Sequence, residues 1–148
     1  DKIYTCVIPR DLHYIRERAR RRGDKSVSAV AAFLGKALNI IPVIFGQGVE
    51  GKPVAKTRNF DMAVEKVMNY AVARVEAGLL TPYVSLSCGL SWTEIEDLPG
   101  LNRLRDACEQ NGVELLLSQM GITSAIYVGP GSICLALAAE PHEFSDFQ

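Results

Sequence analysis

Apolar and polar positions along this chain change period several times, and each change marks an element. Ile3 to Ile8 is a short β-rich run that Pro9 ends, and Pro9, Arg10 and Asp11 open a helix with an acid near its positive end. Leu12, Ile15 and Ala19 give that helix a narrow apolar edge, and Arg16, Arg18, Arg20, Arg21 and Arg22 crowd the remainder. From Val27 to Leu38, Val27, Val30, Ala31, Leu34, Ala37 and Leu38 recur at helical spacing, with Ser26 as N-cap. The pattern then shortens to a continuous β-branched run, Ile40 to Phe45, broken only by Pro42; this reads as a buried strand lacking one ladder donor. Gln47, Gly48 and Gly51 turn the chain, and Lys52 to Thr57 predicts the returning strand.

Phe60, Ala63, Val64, Val67, Met68, Ala71 and Val75 form the clearest amphipathic helix, with Asn59 able to cap it and Gly78 closing it. Pro82 to Leu86 reads as a strand ended by Ser87, Cys88 and Gly89, and Trp92 to Gly100 as a loop or short turn. Leu101 to Gln110 is a helix stopped by Asn111 and Gly112. Val113 to Met120, Ser124 to Val128 and Ser132 to Ala139 read as three strands without helices between them, which predicts antiparallel pairing. The polar tail from Glu140 to Gln148 is expected to fray or to cap an edge. The fold class expected is α/β of the α+β type, a mainly antiparallel sheet with helices packed on it.

Size and composition narrow the function without naming it. The 148 residues suffice for one domain with a sizeable core, without disulfides or metal. A net charge of −1 argues against a chain whose task is coating nucleic acid. Cys6, Cys88, Cys108 and Cys134 are scattered, with no C-x-x-C pair and no histidine at ligand spacing, so they are read as buried hydrophobes in a reducing cytosol and no metal or cofactor is expected. Lys36, Asn39 and Pro42 interrupt the longest apolar region, which excludes it as a membrane span. The chain begins at Asp1 with no signal-peptide pattern, as expected of an excised or processed domain.

Candidate chemistry is confined to two places. Lys56 and Arg58 are delivered to the mouth of the Phe60 helix, where they are either ordinary surface charge at a strand end or part of an anion site that the free N–H groups already favour. Gly129, Pro130, Gly131 and Ser132 carry the residues of a type II turn, either a connector between strands or a loop that exposes backbone N–H groups. His13 and His142 have no nucleophile or carboxylate arranged around them, so no catalytic set is visible and the chain is read as a non-enzyme. The arginines from Arg16 to Arg22 are either a solvated helix face or a docking patch.

The order of VIPRDLHYIRERARRRG, LNIIPVIF, KTR and the YVGPG at Tyr127 to Gly131 resembles the C-terminal domain of the DegV-like bacterial fatty-acid-binding family, over nearly the whole chain. The family shows L-N-I-K-P-I, an R-T-R-like element and a G-P-G turn in that order. The resemblance implies a cytoplasmic domain spanning residues 1–148, without the family's N-terminal parallel α/β domain. It implies that a long-chain fatty acid is bound and presented to a fatty-acid kinase. Its carboxylate would be held by Lys56, Arg58, Tyr127, Gly129 and Gly131, and its acyl chain would lie on Val30 and Leu34. Three departures stand out. R-R-R-G-D replaces the family's Gly-Gly-Arg-like turn, Tyr127 replaces its histidine two positions before the first glycine, and no histidine follows the Pro82 to Leu86 strand. Tyrosine donates one hydrogen bond but brings no positive charge. The alternatives are therefore a regulatory or scaffold domain of the same fold that binds no lipid, or a docking domain that uses the Arg16–Arg22 face.

Overall fold

A computed structural model describes residues 2–22, 32, 40–48 and 50–144. The elements are β1 (Ile3–Ile8), α1 (Leu12–Arg22), β2 (Ile41–Gln47), β3 (Glu50–Thr57), α2 (Phe60–Ala77), β4 (Tyr83–Cys88), α3 (Trp92–Glu96), α4 (Leu101–Gln110), β5 (Glu114–Gln119), α5 (Ile122–Val128) and β6 (Ile133–Ala138). The six strands form one sheet in the order β3-β2-β1-β6-β4-β5. Every pairing is antiparallel except β4 with β5.

Period-two alternation decides which side of the sheet is core. Tyr4, Cys6 and Ile8 on β1 lie opposite Leu137, Leu135 and Ile133 on β6, and all six are buried. That face receives α2 and α4: Ala63, Val64, Val67, Met68 and Ala71 of α2 have no more than trace exposure, as do Leu101 and Leu104 of α4. On the other face Ile15 of α1 is buried in a separate small cluster with Leu12, Ile40 and Ile44. The helix expected at Val27 to Leu38 lies outside the described residues.

α2 begins as its sequence dictates. Asn59 is extended at φ −151°, its side chain accepts from the Met62 N–H at 2.9 Å, and the helix closes at Gly78 with φ 98°. Asp11 does the same for α1, accepting from the Tyr14 N–H at 3.0 Å.

Three expectations are corrected. Trp92–Glu96 is a short helix rather than a loop, because Ser91 and Glu94 close a capping box: the Ser91 hydroxyl accepts from the Glu94 N–H at 3.3 Å, and the Glu94 carboxylate accepts from the Ser91 N–H at 2.9 Å. β5 runs parallel to β4 instead of pairing with β6, because α3 and α4 carry the chain back to the end where β4 began. The expected strand at Ser124 to Val128 is instead part of α5. β6 already has β1 and β4 on its two sides, so such a strand could not lie beside β6. The chain must also travel from β5 across β4 to β6, two strand spacings or about 10 Å, which a seven-residue helix covers at about 1.5 Å per residue.

The tail caps rather than frays as far as it is described. Phe144 is 2% exposed and joins Tyr4, Phe45 and Tyr70 in the core cluster. The four cysteines are free, with Cys6, Cys88 and Cys108 buried and Cys134 half-buried. Burial raises all four thiols, and the neighbouring Cys134 adds to the rise at Cys6 and at Cys88, whose pKa is pushed up to about 11. Among the described residues no cluster of metal-ligating side chains occurs, and no helix is long and apolar enough to cross a membrane.

Candidate functional site

The topology gathers one end of every strand on a common edge. There β1, β3, β4 and β5 finish and β2 and β6 begin, so Arg10, Arg58, Gly89, Met120 and Ser132 all leave the sheet on the same side. Lys56 and Arg58 are exposed on either side of buried Thr57. The Thr57 hydroxyl lies 2.9 Å from the Ile41 carbonyl and 3.0 Å from that of Asn59, which fastens the entry of α2 to the sheet. Two cations and the start of α2, whose Met62 N–H is already taken by the Asn59 cap, are thus held at one corner.

The Gly129–Gly131 turn stands on the same edge above β6. Gly131 has φ 72°, as the third position of a type II turn requires, and Gly129 has φ 91°. Both are also crowded. A Cβ at Gly129 would meet Tyr14 Cδ1 at 3.0 Å, and one at Gly131 would meet Arg10 Cδ at 2.7 Å. Beneath the turn, the Ser132 hydroxyl donates to the Val128 carbonyl at 2.7 Å and the Gly89 N–H donates to the Ser132 carbonyl at 2.8 Å. Tyr14 donates to the Ile126 carbonyl at 2.5 Å and ties α5 to α1. Tyr127 lies on α5 and is 52% exposed.

The predicted anion residues therefore share an edge but form two groups. β3 and β6 are separated by β2 and β1, which sets Arg58 and the Gly129–Gly131 turn about 14 Å apart as strand positions. Between them stands Arg10, which the sequence reading did not select. Its guanidinium lies 5.0 Å from the centre of the Phe60 ring at the start of α2 and 3.8 Å from Glu94 Oε1. The Glu94 carboxyl is held below its ordinary range first by the Ser91 N–H, then by the Ser91 hydroxyl, with the Arg10 charge contributing last. A cation at the end of β1 was visible in the sequence; that β1 is the neighbour of β6 was not.

Val30 and Leu34 lie outside the described residues, as do the side chains of Arg18, Arg20 and Arg22. Arg21 is exposed and pairs with Glu17 at 3.2 Å. A cavity of about 200 Å³ opens elsewhere, at the opposite edge, lined by Phe45, Gln47, Gly51, Lys52, His142 and Glu143.

The molecule is thus an α/β domain that presents cations, a helix start and a crowded glycine turn on one edge of its sheet. The sequence profile described as "Uncharacterised protein, DegV family" matches residues 1–140, and the chain belongs to that family. It is 44% identical over 142 residues to a DegV domain-containing protein of Xanthomonas axonopodis pv. citri, covering 96% of this chain and 45% of that one. The chain thus spans about half the length of the curated relatives it matches. Its fold is similar to that of a DegV family protein from Corynebacterium glutamicum, with a TM-score of 0.69 at 18% identity, covering 96% of this chain and 50% of that one. It is also similar to DegV, a fatty acid binding protein from Bacillus subtilis, with a TM-score of 0.67 at 15% identity, covering 94% of this chain and 45% of that one.

Proposed function

We propose that this chain is the C-terminal half of a fatty-acid-binding protein, and that it holds the ligand's carboxylate on the edge where Arg58 and the Gly129–Gly131 turn leave the sheet. The observation that carries this reading is the assembly of two cations, the first turn of an 18-residue helix and a backbone turn with positive φ on that one edge. Family membership supports it, because the Bacillus subtilis protein of the same fold is a fatty acid binding protein. Lys56 and Arg58 supply charge from one corner of that edge, and at the turn, about 14 Å away as strand positions, Tyr127 offers a single hydrogen bond and Gly129 and Gly131 close backbone approach. The reading includes acyl-chain contact with Val30 and Leu34, which lie outside the described residues, each buried CH₂ adding about 0.8 kcal/mol.

In this account a further domain supplies hydroxyl contacts to the carboxylate, and the loaded protein presents it to a fatty-acid kinase in the cytoplasm. Native mass spectrometry of the protein purified from cells tests the reading. A retained mass equal to one long-chain fatty acid is the expected result. Protein that comes off bare, and that takes up no palmitate in calorimetry, would leave the scaffold reading in its place. Tyr127, where the family carries histidine, is the observation that favours that second reading.

A further inference from the structure

Arg10 has the attributes of a ligand-holding residue that is not yet engaged. It is half-exposed, and among the described residues none of its N–H groups makes a hydrogen bond; the nearest carboxylate oxygen, Glu94 Oε1, is 3.8 Å away. A guanidinium offers five donors in a rigid fork, the shape that matches a carboxylate. Its position is nevertheless fixed from two sides. The Phe60 ring lies 5.0 Å beneath the guanidinium, and the stem lies so close to Gly131 that a Cβ there would stand 2.7 Å from Arg10 Cδ. Side chain and glycine turn are thus a single packed unit at the middle of the edge.

Glu94 is fixed for a different reason. Its Oε2 already accepts from the Ser91 N–H at 2.9 Å and the Ser91 hydroxyl at 2.8 Å, so it cannot swing to meet the arginine without breaking the capping box of α3. The result is a stationary negative charge just beyond hydrogen-bond reach of an oriented cation. An incoming carboxylate can approach more closely than Glu94 does and complete the fork.

We propose that Arg10 is the principal grip on the ligand's carboxylate, and that Glu94 competes for the same guanidinium, holding it poised in the empty protein and weakening the bound state. This inference rests on the fatty-acid reading above. It assigns the strongest contact to the segment between β1 and α1 rather than to the Lys56–Arg58 corner, and it gives Gly131 a second reason to lack a side chain. The favoured ligand is an amphiphile with a single carboxylate; a neutral chain of the same length gains nothing from Arg10.

The test uses the protein in its full native length, with palmitate and hexadecanol as probes and thermal melts to establish folding. Arg10→Gln should weaken palmitate by about tenfold or more and hexadecanol by less than about twofold. Glu94→Gln keeps the capping box and removes the competing charge, so it should tighten palmitate by about threefold and leave hexadecanol unchanged. Palmitate affinity within about twofold of wild type in a folded Arg10→Gln protein would overturn the assignment while leaving the fatty-acid reading intact, as would an equal loss of both ligands. If Arg10→Gln does not fold, Glu94→Gln decides, and no tightening of palmitate overturns the proposal. A wild-type protein that binds neither probe ends the fatty-acid reading and this inference with it.

Discussion

The two edges of the sheet are built on opposite plans. At the edge where β2 ends and β3 begins, Tyr4 stacks on Phe45 with centroids 5.5 Å apart, Tyr70 lies 5.1 Å from Phe144, and the His142 ring sits 4.0 Å from that of Tyr4. His142 Nδ1 is 2.8 Å from the Glu140 carbonyl, which can only accept, so the neutral ring carries its proton there and Nε2 accepts from the Tyr70 hydroxyl at 2.7 Å. Lys2 pairs with Glu140 and Lys52 with Glu143, both at 2.9 Å, over the outside. The opposite edge has the Gly129–Gly131 turn packed against Tyr14 and Arg10, an exposed Arg58 and an arginine without a hydrogen bond among the described residues. Polar groups satisfied within the fold stabilise it, and polar groups left facing outward in fixed positions are available to a ligand. On the reading proposed above, the first edge is a clasp and the second a receptor.

Breaking the clasp should give the largest effect on stability and none on ligand. Phe144→Ala removes a ring that is 2% exposed and should cost about 3 kcal/mol in denaturant unfolding, with palmitate affinity unchanged. Next comes Gly131→Ala on the receptor edge, where a left-handed φ of 72° and a 2.7 Å approach to Arg10 act together. It should cost about 1 to 2 kcal/mol of stability and, unlike Phe144→Ala, weaken palmitate in calorimetry.

Alkaline pH separates the edges without mutation. Burial, reinforced by the nearby Cys6, raises the Tyr70 phenol well above its ordinary value, while the Arg74 charge opposes the rise. Because the folded pKa is the higher one, the stability tied to neutral Tyr70 is fully present below about pH 10 and is lost above it, as the unfolded phenol ionises first. Melting curves should therefore fall above that pH, and Tyr70→Phe should flatten the fall while lowering stability near pH 7 by about 1 kcal/mol through the lost hydrogen bond.

Arg58→Ala should weaken palmitate by about 1 to 3 kcal/mol without unfolding the domain, the lower figure if Arg10 carries the grip. Smallest of all, Arg21→Gln should change unfolding free energy by less than about 0.5 kcal/mol, because its partner Glu17 is a helix-surface pair.

What the sequence made legible was local. α2 could be drawn almost to the residue, because Asn59, the period of Phe60 to Val75 and Gly78 are all properties of contiguous chain. The Gly129–Gly131 turn was legible for the same reason, since proline fixes φ and glycine readily takes a positive one wherever they stand. α5 was not: Ile122, Ile126 and Val128 favour a strand, and only the order β6-β4-β5 shows that this segment has to carry the chain past β4 to β6. Arg10 was missed because its significance comes from β6 lying beside β1, though their residues are more than a hundred positions apart in sequence. Tail residues written as polar proved to include the Phe144 and His142 that close the clasp, a placement set by the rings of β1, β2 and α2 rather than by their neighbours in sequence.

The central claim is that a carboxylate sits among the cations of the receptor edge, and the ionisation of the bound ligand reports on it directly. Palmitate labelled with ¹³C at its carboxyl carbon, bound to the full-length protein and followed by NMR as pH falls, should stay ionised below the ordinary carboxylate range of about 4 to 5, because nearby guanidinium groups favour the charged form. A bound carboxyl that titrates at or above that range, as burial without a cation would produce, would contradict the account.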